Sequence, residues 1–281
     1  MRATQEPTLS RLAAACSLVI SVDNPIHSKG AILAVLRTAS PIVDPDAVDL
    51  APFQNDARAT ASDDGLNLRA YRVLREAILS GAFAPGAHLN IRPLAVQLGM
   101  SPMPVREALA RLRSDGALET LPNRAFRIPV LAVATFRDIL LTRIRVEALA
   151  CEQAAIRASV QDVGAVAALF DDLTAAERGK PDRYLRLHRN FHFAIYALAG
   201  MPVLVDIIEG LWLRIGPLIL ASSRERMAVD RNHHGAILRA LRASDPTAIA
   251  LALRDDIADG LAPVSAYLAG QAYAGALRHA V

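Results

Sequence analysis

Two histidines four residues apart, His188 and His192 in YLRLHRNFHFAIYALAG, project from one side of any helix that contains them, with imidazoles close enough to share a metal ion. A second pair, His233-His234, opens HHGAILRALRASDP, and Asp256 lies twenty-two residues beyond His234. Three imidazoles and a carboxylate suit zinc first, with nickel, manganese or iron as alternatives, since nitrogen donors favour transition metals over calcium. A divalent metal held by His188, His192, His234 and Asp256 can anchor a ligand or activate water, so a binding site and a metal-dependent hydrolase are both open. Against the hydrolase, the chain has no HExxH on the metal helix and no separate general base declares itself.

These residues need helices to bring them together. From Thr135 onward about 135 residues show helical periodicity and almost no strand signal. Helices are expected near 135–158, 161–178, 182–199, 202–223, 229–243 and 246–269, broken at Ser159, Gly179-Lys180-Pro181, Gly200-Met201-Pro202 and Ser244-Asp245-Pro246. Six such helices make a bundle with its own core. Cys151 falls in the apolar pattern of the first and is expected in that core. Arg143 and Glu147 stand at the spacing of an intrahelical ion pair. Trp212 is expected in the core, though it and Arg214 could reach a cavity.

Upstream, the residues from Ile91 to Ile128 read as a short helix, a tight turn, a second helix and two brief extended segments, which is the outline of a winged helix-turn-helix. Leu94, Ala95 and Leu98 give the first helix an apolar face, and Gly99 supplies the left-handed residue that a helix end often needs. Ser101 is placed to cap the second helix, and Pro102 and Pro104 fall in its first turn, where a missing N–H costs least. Val105, Ala108, Leu109 and Leu112 then recur at helical spacing, with Arg106, Glu107, Arg111 and Arg113 on more polar faces. Ala117 to Leu121 and Phe126 to Val130 form a small hairpin around Pro122-Asn123-Arg124. Asn67 to Ser80 is a supporting helix.

Charge distribution agrees. The chain of 281 residues carries only +3, but residues 65–130 hold nine arginines against four carboxylates, whereas residues 1–64 hold five basic against eight acidic groups. Hydrophobic residues at 53% and charged residues at 21% suit a packed protein with room for two domains. Two isolated cysteines, Cys16 and Cys151, make neither a disulfide framework nor a cysteine zinc site, so a reducing compartment is expected. No apolar run approaches the roughly 20 residues of a membrane span. LAAACSLVISV has signal-peptide character, yet the DNA-binding segment after it argues against export. Residues 1–64, with a short helix from Ala31 to Arg37 and a Pro/Asp/Ala-rich stretch, are expected as a poorly ordered extension.

The segment from Leu68 to Ile128, with GAFAPGAHL, LAVQLGMS, PVREALARL and DGALETLPNRAF in order, closely resembles the winged helix-turn-helix of GntR-family bacterial transcription regulators. It departs at Pro102, where the family often has Arg, and at Ala125, where it often has Gly. Downstream, RIRVE at 143–147, FH at 191–192, HGAILRAL at 234–241 and ALRDD at 252–256 resemble the FCD ligand-binding domain of the FadR subfamily. In many members that domain holds a metal through one Asp and three His, and a carboxylate effector completes the coordination. By this resemblance His192 and His234 match family histidines, His188 stands where Asp is usual, and Asp256 stands where the last His is usual. The expected set keeps its composition with two ligands exchanged, and Arg143 is the candidate for the effector carboxylate, unless Glu147 claims it.

The expectation is a mainly α protein in three parts: an extension at 1–64, a winged helix-turn-helix at 65–130, and an all-helical FCD-like bundle at 131–270 for ligand binding and dimerisation. It would act as a cytoplasmic, nucleoid-associated bacterial regulator, a homodimer on palindromic double-stranded operator DNA, responding to a small organic acid. Arg69, Ser101, Met103, Arg106 and Arg111 would meet DNA, with Arg124 approaching the minor groove from the wing. A bundle that only dimerises is the alternative.

Overall fold

The computed structural model describes residues 48–54, 65–122, 125–176, 181–223 and 232–279, with backbone alone at 181, 182, 220, 223, 232 and 271–279. The helix expected at 31–37, Cys16, and Arg124 at the tip of the wing lie outside the described residues.

The N-terminal unit is a winged helix-turn-helix. Helix α1 (Leu66–Leu79) is followed by β1 (His88–Leu89), α2 (Ile91–Leu98), α3 (Pro102–Ser114), β2 (Glu119–Thr120) and β3 (Phe126–Arg127). Strand β3 lies between the other two, antiparallel to both, with Arg127 opposite His88 on one side and Glu119 on the other. The expected hairpin is therefore present, but β1 joins it as a third strand. Two residues are too short to carry an alternation pattern, so β1 had no signature in the sequence.

Helix α2 ends as its glycine dictates. Gly99 adopts φ 63°, and the Met100 N–H closes the turn on the Ala95 carbonyl at 2.9 Å. The start of α3 differs from expectation, because Ser101 takes the N-cap position yet its hydroxyl makes no capping bond. A capping side chain accepts from the second or third helical N–H, and here the third residue is Pro104, which has none.

The core of this unit joins Val73, Leu74 and Ile78 of α1 to Leu94 and Leu98 of α2 and Leu109 and Leu112 of α3. Two contributions come from outside it. Leu50, fully buried, enters from the upstream segment 48–54, where its N–H donates to Gln97 Oε1 at 3.3 Å and the Gln54 side-chain amide donates to the Gln97 carbonyl at 2.9 Å. Leu213 enters from the bundle.

The bundle comprises α4 (Val133–Arg157), α5 (Val160–Ala176), α6 (Pro181–Leu198), α7 (Pro202–Ser223), α8 (Asn232–Arg242) and α9 (Pro246–His279). Each expected helix is present, and α9 runs ten residues past its expected end, through a segment that holds no proline despite Gly270 and Gly275. Helix α4 packs along α9 and against α6 and α7, and α8 packs on α9 and α5. Cys151 is fully buried on α4, and burial, then Glu147, pushes its thiol pKa well up, so it is a packing residue. No described helix is long and apolar enough to cross a membrane.

Helix α7 also holds the two units together. Gly216 presses its backbone on the end of α1, where a Cβ would lie 2.7 Å from the Ile78 carbonyl oxygen. Ion pairs flank this contact, Arg75 of α1 with Glu209 of α7 at 2.5 Å and Glu76 of α1 with Arg189 of α6 at 2.7 Å.

Candidate metal centre and DNA-binding surface

Helix α6 presents His188 and His192 one turn apart, α8 brings His234 to face them, and α9 supplies Asp256 from the opposite side. One potential ligand atom from each residue lies within 4.8 Å of the other three. The ring centroids of His188, His192 and His234 are 4.5 to 5.3 Å apart. His192 Nε2 stands 3.3 Å from Asp256 Oδ2 and His234 Nε2 stands 3.1 Å from Oδ1. His192, His234 and Asp256 are buried, and His188 is half-buried.

Electrostatics prepares these groups for a cation. Burial, then the neighbouring imidazoles, pushes the His188 pKa well below its ordinary value, and burial brings His234 down to about 4. Both rings are therefore neutral near pH 7 and carry a lone pair. Burial alone would raise Asp256, but His192, His234 and His188 outweigh it, so its carboxyl stays ionised far into acid. Although His192 Nε2 and His234 Nε2 lie close to Asp256, neither has a hydrogen-bond partner, and both are buried. Two orphaned buried nitrogens beside one carboxylate are costly in a plain core and fit a cation between them.

Behind the ligands lies a polar network that the sequence did not announce. Tyr196, one turn beyond His192, donates its O–H to Glu147 Oε2 at 2.6 Å, and its oxygen is 3.3 Å from His192 Nδ1. With the phenol proton committed to Glu147, the tyrosine oxygen accepts from His192 Nδ1–H. That tautomer leaves Nε2 bare toward Asp256. Trp212 donates Nε1–H to Glu147 Oε1 at 3.1 Å, and its ring lies 5.8 Å from His188 and 5.9 Å from His192. Trp212 is thus core and site wall at once. The spacing 188, 192, 196 on α6 was the signal that could have found Tyr196.

Arg143 is buried beside this network, its guanidinium 4.4 Å above the Trp212 ring. Glu147 occupies its forked edge, with Nε at 2.5 Å from Oε1 and Nη2 at 3.2 Å from Oε2. Glu147 takes the side-on edge of the guanidinium, and the end-on pair of Nη1 and the second Nη2 N–H is left for an effector carboxylate. Arg214 stands away from the site, against Gly116 of the winged unit.

On the winged unit, Ser101, Met103, Arg106 and Arg111 are exposed along α3. Arg106 has no polar partner among the described residues. Arg111 lies over the Tyr71 ring at 4.0 Å and Tyr71 in turn donates to Asp115 at 2.8 Å, so Arg111 is pinned to the domain. Arg69, half-buried on α1, donates to the Leu98 carbonyl at 3.4 Å, across the end of α2.

Comparison with known proteins agrees with this architecture. Residues 66–128 match the family of bacterial regulatory proteins of the gntR type, and residues 138–259 match the FCD domain. The HTH-type transcriptional regulator McbR of Escherichia coli (strain K12) is 35% identical over 185 residues, 64% of this chain and 84% of that protein. The HTH-type transcriptional repressor RspR of the same organism is 29% identical over 52% of this chain and 64% of its own length. The solved structure of E. coli McbR/YncC superposes with a TM-score of 0.67 at 33% identity, covering 72% of this chain and 97% of that one. A GntR regulator from Rhodococcus sp. RHA1, at 22% identity and TM-score 0.59 over 70% of this chain and 96% of its own, shares the fold. The chain belongs to the GntR family of DNA-binding transcriptional regulators, with an FCD domain behind its winged helix-turn-helix.

Proposed function

We propose that this regulator senses a small organic acid at a divalent metal held by His188, His192, His234 and Asp256, and transmits the occupancy of that site to operator DNA. The observation that carries the reading is the pair of orphaned imidazole nitrogens facing one ionised carboxylate. A bound divalent cation would supply a Lewis-acidic anchor for a carboxylate. Trp212 would wall the effector in, and Arg143 would offer the end-on N–H groups that Glu147 leaves over. The exchange of Asp and His at positions 188 and 256 keeps one negative charge and three neutral donors, the composition that zinc, nickel, manganese or iron accepts.

The site is a sensor rather than a hydrolytic centre. Glu147, the buried carboxylate nearest the ligands, is already engaged by Arg143, Tyr196 and Trp212, so it holds no capacity to act as a general base. On DNA, Arg106 would contact bases from α3, Ser101 would meet phosphate with the hydroxyl that does not cap, and Arg124 would reach the minor groove from the wing. One arginine–guanine contact contributes only about 1–3 kcal/mol of discrimination, so a homodimer on a palindromic operator is the working form, in the bacterial cytoplasm.

The test uses an operator obtained by selection from random duplexes. Metal-loaded protein is bound to it and titrated with a panel of small hydroxy and sugar acids, with and without a chelator. The expected outcome is that at least one acid shifts operator affinity by about 5- to 150-fold, the usual range of allosteric coupling, and that the chelator removes the shift. An acid response unchanged by the chelator and by His192→Ala would place the sensor elsewhere.

A further inference from the structure

The N-terminal end of α3 carries an unusual set of groups for a recognition helix. Pro102 and Pro104 occupy its first and third positions, so two of the amides that a helix start ordinarily offers to a phosphate are absent. Further along, Glu107 is held by Asn67, whose side-chain amide donates to it at 3.2 Å, and Arg111 is held over Tyr71. Met103 and Arg106 remain outward near that end, three residues apart. Met103 is 61% exposed, and no described residue pairs with Arg106.

In helix-turn-helix proteins the N-terminal residues of the second helix meet base edges in the major groove. The apolar feature that the groove offers there is the thymine C5-methyl, while an arginine fork matches guanine O6 and N7. A methionine side chain is long and flexible enough to settle against such a methyl. Three residues of helix rise by about 4.5 Å, which is one to two base-pair steps of about 3.4 Å.

We infer that Met103 reads a thymine methyl within two base pairs of the guanine that Arg106 contacts. The inference rests on α3 being the element that enters the groove. It makes Met103 a specificity-determining residue.

Selection from random duplexes with the full-length protein, repeated with Met103→Ala and Arg106→Ala, separates the two statements. Wild type is expected to enrich G with T one or two base pairs away, and Met103→Ala to keep the G while its preference for T flattens. Replacing that thymine by deoxyuridine removes only the methyl. It is expected to weaken wild-type binding about fourfold, the weight of one buried methyl group, and to weaken Met103→Ala binding less than about twofold. No T preference in wild type, no effect of deoxyuridine, or equal sensitivity in Met103→Ala would each overturn the role of Met103. An Arg106→Ala variant that selects the wild-type sequence unchanged, or a wild type that selects none, would overturn the placement of α3 itself.

Discussion

Glu147 accepts from Arg143, Tyr196 and Trp212 with no exposure to water, and through Tyr196 it reaches His192 of the candidate metal site. A buried charge held this way becomes a liability once its partner is removed. Glu147→Ala is expected to cost about 3–5 kcal/mol in urea unfolding, because Arg143 is left buried and uncompensated. A loss below about 1 kcal/mol would mean that water or another carboxylate takes over. The four metal-binding candidates were legible as residue types and spacing, since His188 and His192 announce themselves on a helix. Glu147 was legible only as half of an intrahelical pair with Arg143, and Tyr196 was not singled out at all. Their role depends on α4, α6 and α7 meeting, and no local pattern encodes that meeting. Ser101 illustrates the converse: a good capping residue was legible, but Pro104 removes one of the two N–H groups a cap can use, and the hydroxyl makes no capping bond to the other.

At the scale of elements, α7 has two faces with different duties. Trp212 lies against the His188 and His192 rings while Leu213, its neighbour, completes the core of the winged unit, and Gly216-Pro217 follow where the helix meets α1. A glycine in mid-helix ordinarily costs about 1 kcal/mol relative to alanine, so Gly216→Ala should stabilise α7 taken alone. Here the added Cβ would meet backbone at 2.7 to 3.0 Å rather than a flexible side chain. Overpacking of this kind costs about 1–3 kcal/mol, and the net expectation is a lower urea midpoint for Gly216→Ala. A raised midpoint would show that α1 and α7 have slack between them. Helix positions in the bundle were legible because 3.6-residue periodicity, Gly-Pro breaks and Ala/Leu content all agree. The packing of segment 48–54 on α2 was not, since a buried Leu50 within an Asp- and Pro-rich stretch reads as an isolated apolar residue.

Across the whole molecule, two helices that line the candidate metal site, α6 and α7, also touch the DNA-binding unit. Arg189 follows His188 directly on α6 and pairs with Glu76 of α1, and Glu209, three residues before Trp212 on α7, pairs with Arg75. A shift of α6 or α7 on ligand binding would therefore move α1 and, through the core it shares with α3, the recognition helix. Arg189→Ala is expected to leave metal content and operator affinity within about twofold of wild type while reducing the effector-induced change in affinity, which at about 1–3 kcal/mol is the size of the coupling to be lost. An undiminished response would assign the coupling to α7 alone. The separation into a basic winged unit and a helical bundle was legible from charge and periodicity, but the ion pairs across their boundary join residues more than 110 positions apart.

His188, His192, His234 and Asp256 are proposed to form a metal site despite the exchange of two ligands. The most direct test of this is metal content by mass spectrometry of protein purified without chelators, wild type beside His192→Ala and Asp256→Ala. About one divalent ion per chain, lost in both variants, is the expected result. Wild-type protein that holds no metal even after incubation with zinc, nickel and manganese would contradict it.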